Sequence, residues 1–395
     1  MKRRHFLSAF SSATGAALLT SHAPGWAQGV GQRAASASDR ILVLVELKGG
    51  NDGLNTVVPY ADDTYYQLRN AIAIRREDVL KLDNRVGLHP ELKAALPLWE
   101  KGELAIVQGV GYPQPNLSHF RSIEIWETSS KSAEYLDDGW VARGMKAGYG
   151  GRAKFTADGV LIGGNDLGAL AGARAVTLNN PEAFINQARF AMPNHAQGNA
   201  ALQHLLKTEN DVSDAAQGLR SEKFNFVTEF PQGAFGNGVR AAAQVVASQK
   251  GKGGVPVVVL TLGSFDTHQN QPGTHANLLK QLGEGLAALR SSFTELGAWD
   301  RTMVMTFSEF GRRPRQNNSN GTDHGTVAPH FVAGGAVRGG LYGQAPDLNR
   351  LDSSQNMAYT TDFRQMYTTV ARDWWGVNPE DVVRGRFEPL QFLKT

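Results

Sequence analysis

The sequence predicts an α/β protein: a three-layer α/β/α sandwich around a mostly parallel sheet, with a largely helical insertion at about residues 128–250. Two observations carry this. First, the runs Ile41–Leu47, Leu104–Val110, Val255–Leu262 and Thr302–Phe307 are almost continuously apolar. They lack the alternation of a half-solvated sheet and suit strands buried on both faces. Second, helical patterns lie between the runs, and strand–helix–strand order favours parallel pairing.

In chain order, Arg3 and Arg4, then Phe6 and Leu7, open a twin-arginine export signal. A mildly apolar stretch and a small-residue cleavage site after Ala27 follow. This makes residues 1–27 a signal peptide, residues 28–40 a small, polar linker, and 41–395 a single α/β domain. The protein is therefore expected to be exported folded by the twin-arginine machinery, to the periplasm or beyond. Pro90–Lys101 reads as a helix with Pro90 in its first turn and a kink at Pro97. Residues 128–250 have fewer long apolar runs, and Leu202–Leu219 and Phe235–Ser248 look helical. A helix from about His275 to Leu296 puts Leu278, Leu279, Leu282, Leu286 and Leu289 on one face. His330–Gly335 and Val337–Gly343 suggest a Gly-rich hairpin. A last helix starts near Asp362, with Thr360 or Thr361 as its cap.

Composition narrows the chemistry. The chain has no cysteine, which excludes disulfides, thiolate metal sites and a cysteine nucleophile. The formal charge of +3 comes from Lys2, Arg3 and Arg4; without them, 37 basic residues face 37 acidic ones. A neutral chain gives no reason to expect a nucleic-acid partner. Beyond the signal, no run of eighteen apolar residues reads as a membrane span. No Gly-x-Ser-x-Gly or His-Glu-x-x-His motif occurs.

Four strands end in polar clusters. Asp52 follows the first; Ser118 and His119 follow the second; Asp266 and His268 follow the third. Glu309 and Arg312, then Asp323 and His324, follow the fourth. Ligands of open α/β sheets bind outside the carboxyl ends of the strands, so these clusters should converge on one crevice. Asp, Glu and His without Cys suit one or two divalent ions, zinc, manganese or magnesium. Each residue also has a plain structural use. Asp52 suits a Gly-rich turn, Glu309 an ion pair with Arg312 or Arg313, and Ser118 the N-cap of a helix. His89, His275 and His330 read as structural.

The motifs Gly-Gly-Asn-Asp-Gly (49–53), Asn-Leu-Ser-His-Phe (116–120), Leu-Gly-Ser-Phe-Asp-Thr-His (262–268), Ser-Glu-Phe-Gly-Arg-Arg (308–313) and Gly-Thr-Asp-His-Gly (321–325) resemble a bacterial family with twin-arginine signals, known as a domain of unknown function. The resemblance runs from the signal to about residue 376. That family is distantly similar to the alkaline phosphatase and sulfatase superfamily. The resemblance implies an alkaline-phosphatase-like fold and metal ligands at Asp52, Asp266, His268, Glu309, Asp323 and His324, with Ser118 and Arg312 as catalytic residues. It implies a metal-dependent hydrolase of small phosphate esters, acting through Ser118 or a metal-bound hydroxide. Two departures stand out. Asp266 and His268 are separated by one residue where the superfamily has three. Its adjacent Asp-His pair is here Glu309-Phe310, so a ligand is lacking unless His119 or Asp323 fills the place. Sulfate esters are the less expected substrate, because the Cys/Ser-x-Pro-x-Arg motif of sulfatases is absent. The alternative is an exported binding or scaffold protein with a degenerate site.

Overall fold

Ile41–Leu47 is buried along its whole length because its two faces belong to two different cores. Ile41, Val43, Val45 and Leu47 pack with Leu278, Leu279, Leu282, Leu286 and Leu289 of the helix Gln271–Glu295 and with the helix Gly233–Ser248. Leu42 and Leu44 pack on the other side with Trp126, Trp140, Met303, Met305 and the C-terminal helices around Phe363–Trp375. Helices on both faces of one sheet give the expected three-layer α/β/α sandwich. The computed structural model describes residues 39–149, 155, 157–178, 224–248 and 254–394. The signal (1–27), nearly all of the linker (28–40) and the expected helix Leu202–Leu219 lie outside the described residues.

The strands in chain order are β1 (Ile41–Leu47), β2 (Val57–Val58), β3 (Leu80–Lys81), β4 (Gly87–Leu88), β5 (Leu104–Gly111), β6 (Gly159–Ile162) and β7 (Ala175–Leu178). They continue with β8 (Val257–Leu262), β9 (Thr302–Phe307), β10 (Gly311–Gln316), β11 (Thr322–Gly325), β12 (Ala328–Ala333), β13 (Gly340–Tyr342) and β14 (Thr361–Asp362). The central sheet runs β13-β5-β12-β9-β1-β8-β6-β7, with β14 also paired to β5. All its pairings are parallel except those of β12, which is antiparallel to both β5 and β9. Strands β10 and β11 form a separate hairpin, and β2, β4 and β3 a small antiparallel sheet.

Several details differ from the sequence reading. Strands β6 and β7 fall inside the segment expected to be a largely helical insertion; each has four residues, too few for a pattern to show against the surrounding Gly, Asn and Asp. The expected Gly-rich hairpin is absent: β12 and β13 each pair with β5, on opposite edges, and not with each other. Pro90–Ala95 is a 3-10 helix and Leu96–Glu100 an α-helix. Pro97 causes no kink inside it, because it stands in that helix's first turn, where no donor is needed. The last helix is capped by Asp362 in a capping box with Gln365, not by Thr360 or Thr361. No helix among the described residues is long and apolar enough to cross a membrane.

Candidate metal centre

Parallel strands β8, β1 and β9 lie side by side, so their carboxyl ends open onto one crevice. After β8 the chain turns through Gly263–His268 and delivers Asp266 and His268. After β9 it delivers Glu309 and Phe310 and enters the hairpin. Arg312 and His324 are cross-strand partners there and therefore share a face. The loop after β5 leads to Ser118, and His119 opens the helix His119–Thr128. Gly49 and Gly50, after β1, have φ of 119° and 82°. Side chains there would run into the Asp266 backbone and the Phe310 ring, so glycine is what lets these segments close up.

Three imidazoles and a carboxylate meet in this crevice. Donor atoms of His119, Asp266 and His324 all lie within 4.8 Å of one another. His119 Nε2 is 3.5 Å from Asp266 Oδ2, and His324 Nε2 is 3.3 Å from Asp266 Oδ1. His268 Nε2 is 3.0 Å from His324 Nε2 and 3.1 Å from Asp266 Oδ1. The rings of His119, His324 and Phe310 pack with centroids 4.4 to 4.9 Å apart.

A second layer fixes the tautomers. His119 Nδ1 donates to Glu309 Oε1 at 2.8 Å, and His324 Nδ1 donates to the Leu117 carbonyl at 2.9 Å. Each ring thus turns its Nε2 toward the others and toward Asp266. His268 Nδ1 lies 3.7 Å from Asp323 Oδ1. Burial opposes ionisation of Asp266, but Arg312, with help from His324 and His268, outweighs it and holds the carboxyl below its ordinary range. Burial, with Arg312 close by, lowers the pKa of His324 and favours its neutral, ligating form. Lone pairs converging on a carboxylate repel one another unless a proton or a cation lies among them. This donor set therefore fits a divalent ion of the zinc type, with His119, His268, His324 and Asp266 to hold it.

The expected residues divide into two groups. Asp266, His268 and His324 are brought together, and His119 joins them. Glu309 is buried behind His119, with both carboxylate oxygens reached by the Gly49 N–H at 2.9 and 3.1 Å. Asp323 stands behind His268, also reached by Asn317 Nδ2 at 3.2 Å. Arg312 is fully buried. It donates to the carbonyls of Gly49, Gly50, Phe265 and Thr322 and, at 2.6 Å, to Asp266. It orients Asp266, and its side chain has no exposed surface. Ser118 is exposed at the N-cap of the helix, without a side-chain capping bond.

Asp52 is not in the group. It is wholly buried against Arg69 at 2.5 Å, in a pair that also engages Asn55 and Gln271. Burial opposes its charge, but Arg69 prevails and lowers its pKa. Arg69 in turn donates to the Pro314 and Arg313 carbonyls at 2.7 and 3.1 Å. Asp52→Ala strands that guanidinium in the interior, so urea unfolding should show a loss of about 3–5 kcal/mol. A loss under 1 kcal/mol rules out the buried pair as described.

No curated protein matches the chain by sequence. Among solved structures, the chain is similar to Ps i-CgsB in complex with k-i-k-neocarrahexaose, at 8% identity and a TM-score of 0.45, over 88% of this chain and 75% of that one. It is similar to a protein in the alkaline phosphatase superfamily from Vibrio parahaemolyticus, at 10% identity and a TM-score of 0.42, over 88% and 70%. It is also similar to the C-terminal periplasmic domain of EcEptC from Escherichia coli in complex with Zn, at 12% identity and a TM-score of 0.41, over 86% and 83%. A family match covers residues 168–386, and so takes in the Asp266–His268, Glu309–Arg313 and Thr322–His324 segments. The chain belongs to the family described as "Protein of unknown function (DUF1501)".

Proposed function

We propose that this chain is an exported, single-ion hydrolase of phosphate esters, holding zinc, or less favourably manganese or magnesium, through His119, Asp266, His268 and His324. The observation that carries the reading is the mutual group of His119, Asp266 and His324, with His268 Nε2 close to the last two and the first and third rings held at Nδ1 by oxygen acceptors. One ion is favoured over two because Asp52 is committed to Arg69 and Glu309 to Gly49 and His119. When bound, the ion would polarise an ester oxygen and lower the pKa of a coordinated water. The chain's own residues do the rest. Glu309 and the Leu117 carbonyl keep the protons of His119 and His324 on Nδ1. Arg312 holds Asp266 in place. Phe310, buried against both rings, keeps water from their backs. The Ser118 hydroxyl, one residue from His119, is the candidate nucleophile.

The test is metal analysis of the mature protein, run with a panel of phosphate mono- and diesters and sulfate esters. One divalent ion per chain and turnover of a phosphate ester are expected. Ser118→Ala then abolishes nearly all turnover if the serine attacks, and spares it if water does. The fully buried Arg312 and the apolar Phe310 favour a second reading, a binding protein without catalysis. An ion-bearing chain with no turnover on the whole panel selects it.

The signal carries its own prediction. Arg3→Lys with Arg4→Lys leaves the precursor in the cytoplasm in a fractionation assay. Normal export of that variant contradicts the twin-arginine reading.

A further inference from the structure

Gln271 is fully buried at the first position of the helix Gln271–Glu295. Its carbonyl Oε1 accepts two hydroxyls, Thr267 Oγ1 at 3.0 Å and Thr322 Oγ1 at 2.6 Å. Its Nε2 donates to Asp52 Oδ2. That carboxylate fixes the amide's orientation, since only the NH₂ end can face it. The partners are telling. Thr267 lies between Asp266 and His268. Thr322 lies two residues before His324, and its carbonyl receives Arg312 Nη1 at 3.0 Å. Both threonines are buried. One side chain therefore ties the β8 loop, the β10–β11 hairpin and the loop after β1 to a single point.

We propose that Gln271 is a positioning residue: it sets the separation of His268 and His324 by holding Thr267 and Thr322 on one carbonyl oxygen, anchored through Asp52 and Arg69. The proposal rests on the metal reading above for its consequence, and on the hydrogen bonds alone for its geometry. A bond to each threonine hydroxyl uses both lone pairs of Oε1, so neither segment can shift without breaking one. Outer contacts of this kind typically change metal affinity by about 10- to 100-fold.

The experiment compares the full-length mature chain with Gln271→Leu, Thr322→Val, Thr322→Ser and Leu289→Ala. Leu289 is buried in the same helix, about 27 Å along its axis from Gln271, and serves as the stability control. Amide hydrogen exchange is read on the metal-free proteins over 263–271 and 317–325, and zinc affinity by chelator competition. Gln271→Leu and Thr322→Val are expected to speed exchange in both segments and to weaken zinc binding by about tenfold or more. Thr322→Ser keeps the hydroxyl and should behave as the parent. Leu289→Ala should lower the melting temperature without either change. Should Gln271→Leu fail to fold, the contrast of Thr322→Val with Thr322→Ser decides. Unchanged exchange in both segments overturns the positioning role. A parent protein that takes up no zinc overturns the metal reading instead, and exchange alone then judges Gln271.

Discussion

Alanine at both Asp266 and His268 is expected to leave the purified protein without a divalent ion, where the parent is expected to carry one per chain. Asp266 is the only carboxylate among the converging donors, and both its oxygens face imidazoles. A tetrahedral zinc site draws about 10–16 kcal/mol from four ligands. Losing two of them, one the sole anionic donor, should cost well over 4 kcal/mol, or more than about a thousandfold in affinity. Glu309→Gln offers the contrast. It weakens the hold on His119 Nδ1 without removing a donor, and the expected loss is about 10- to 100-fold. Elemental analysis after dialysis, followed by chelator competition, reads both. Asp52→Asn separates one ion from two: at saturating metal it should still hold one. A parent with two ions, one of them lost in Asp52→Asn, overturns the single-ion site. A double variant that retains its ion overturns the ligand set.

The strands that build the crevice were legible because burial on both faces leaves an unmistakable apolar run, as in β1, β8 and β9. Their polar ends could be expected to converge, since carboxyl ends of parallel strands share one edge of the sheet. Strand β12 was not legible as a sheet member between β5 and β9, because sequence order says nothing about which gap a late strand fills. Its neighbour β13 was misread as its hairpin partner for the same reason.

Within the site, the roles were harder to read than the places. Asp52 has the look of a ligand in its Gly-rich turn. What decides its role is Arg69, which sits in no motif and reaches it only in the fold. Arg312 reads as a catalytic cation until its carbonyl partners are counted. Those partners come from three separate segments, at Gly49, Phe265 and Thr322. His119 lay beside the expected nucleophile, and nothing local distinguishes a ligand from a helix-opening histidine. Gln271 gave no signal, because its meaning lies wholly in three distant partners.

Acid should destabilise this protein before most of its carboxylates titrate. Three buried histidines carry no charge in the folded state. Burial lowers His330 and His275 to about 3 and His89 to about 4, with Asp52 partly opposing the shift at the last two. In the unfolded chain each titrates near 6.5. Below that pH the unfolded state binds protons that the folded state refuses, so stability is complete above 6.5 and falls as pH drops toward 4. Each histidine contributes about 1.4 kcal/mol per pH unit. Glu127 works the other way. Burial, with Glu46 and Asp166 near by, raises it to about 8, so the folded state holds its proton through the same window and offsets about one histidine. From these four groups a net of about two protons, or roughly 3 kcal/mol per pH unit, remains, and the raised carboxyls of Glu46 and Asp362 offset part of it. From pH 6.5 to 4 that slope removes at most about 7 kcal/mol, a large share of a stability of about 5–15 kcal/mol. His330 isolates the effect. Its shift comes from burial alone, its Nδ1 lies 3.5 Å from Thr306 Oγ1, and its Nε2 has no partner. It lies against the Trp126 ring. In His330→Leu, the stability lost between pH 7 and pH 5 should shrink by about 2 kcal/mol, measured by urea unfolding with a chelator present. Identical losses in parent and variant contradict a neutral, buried His330.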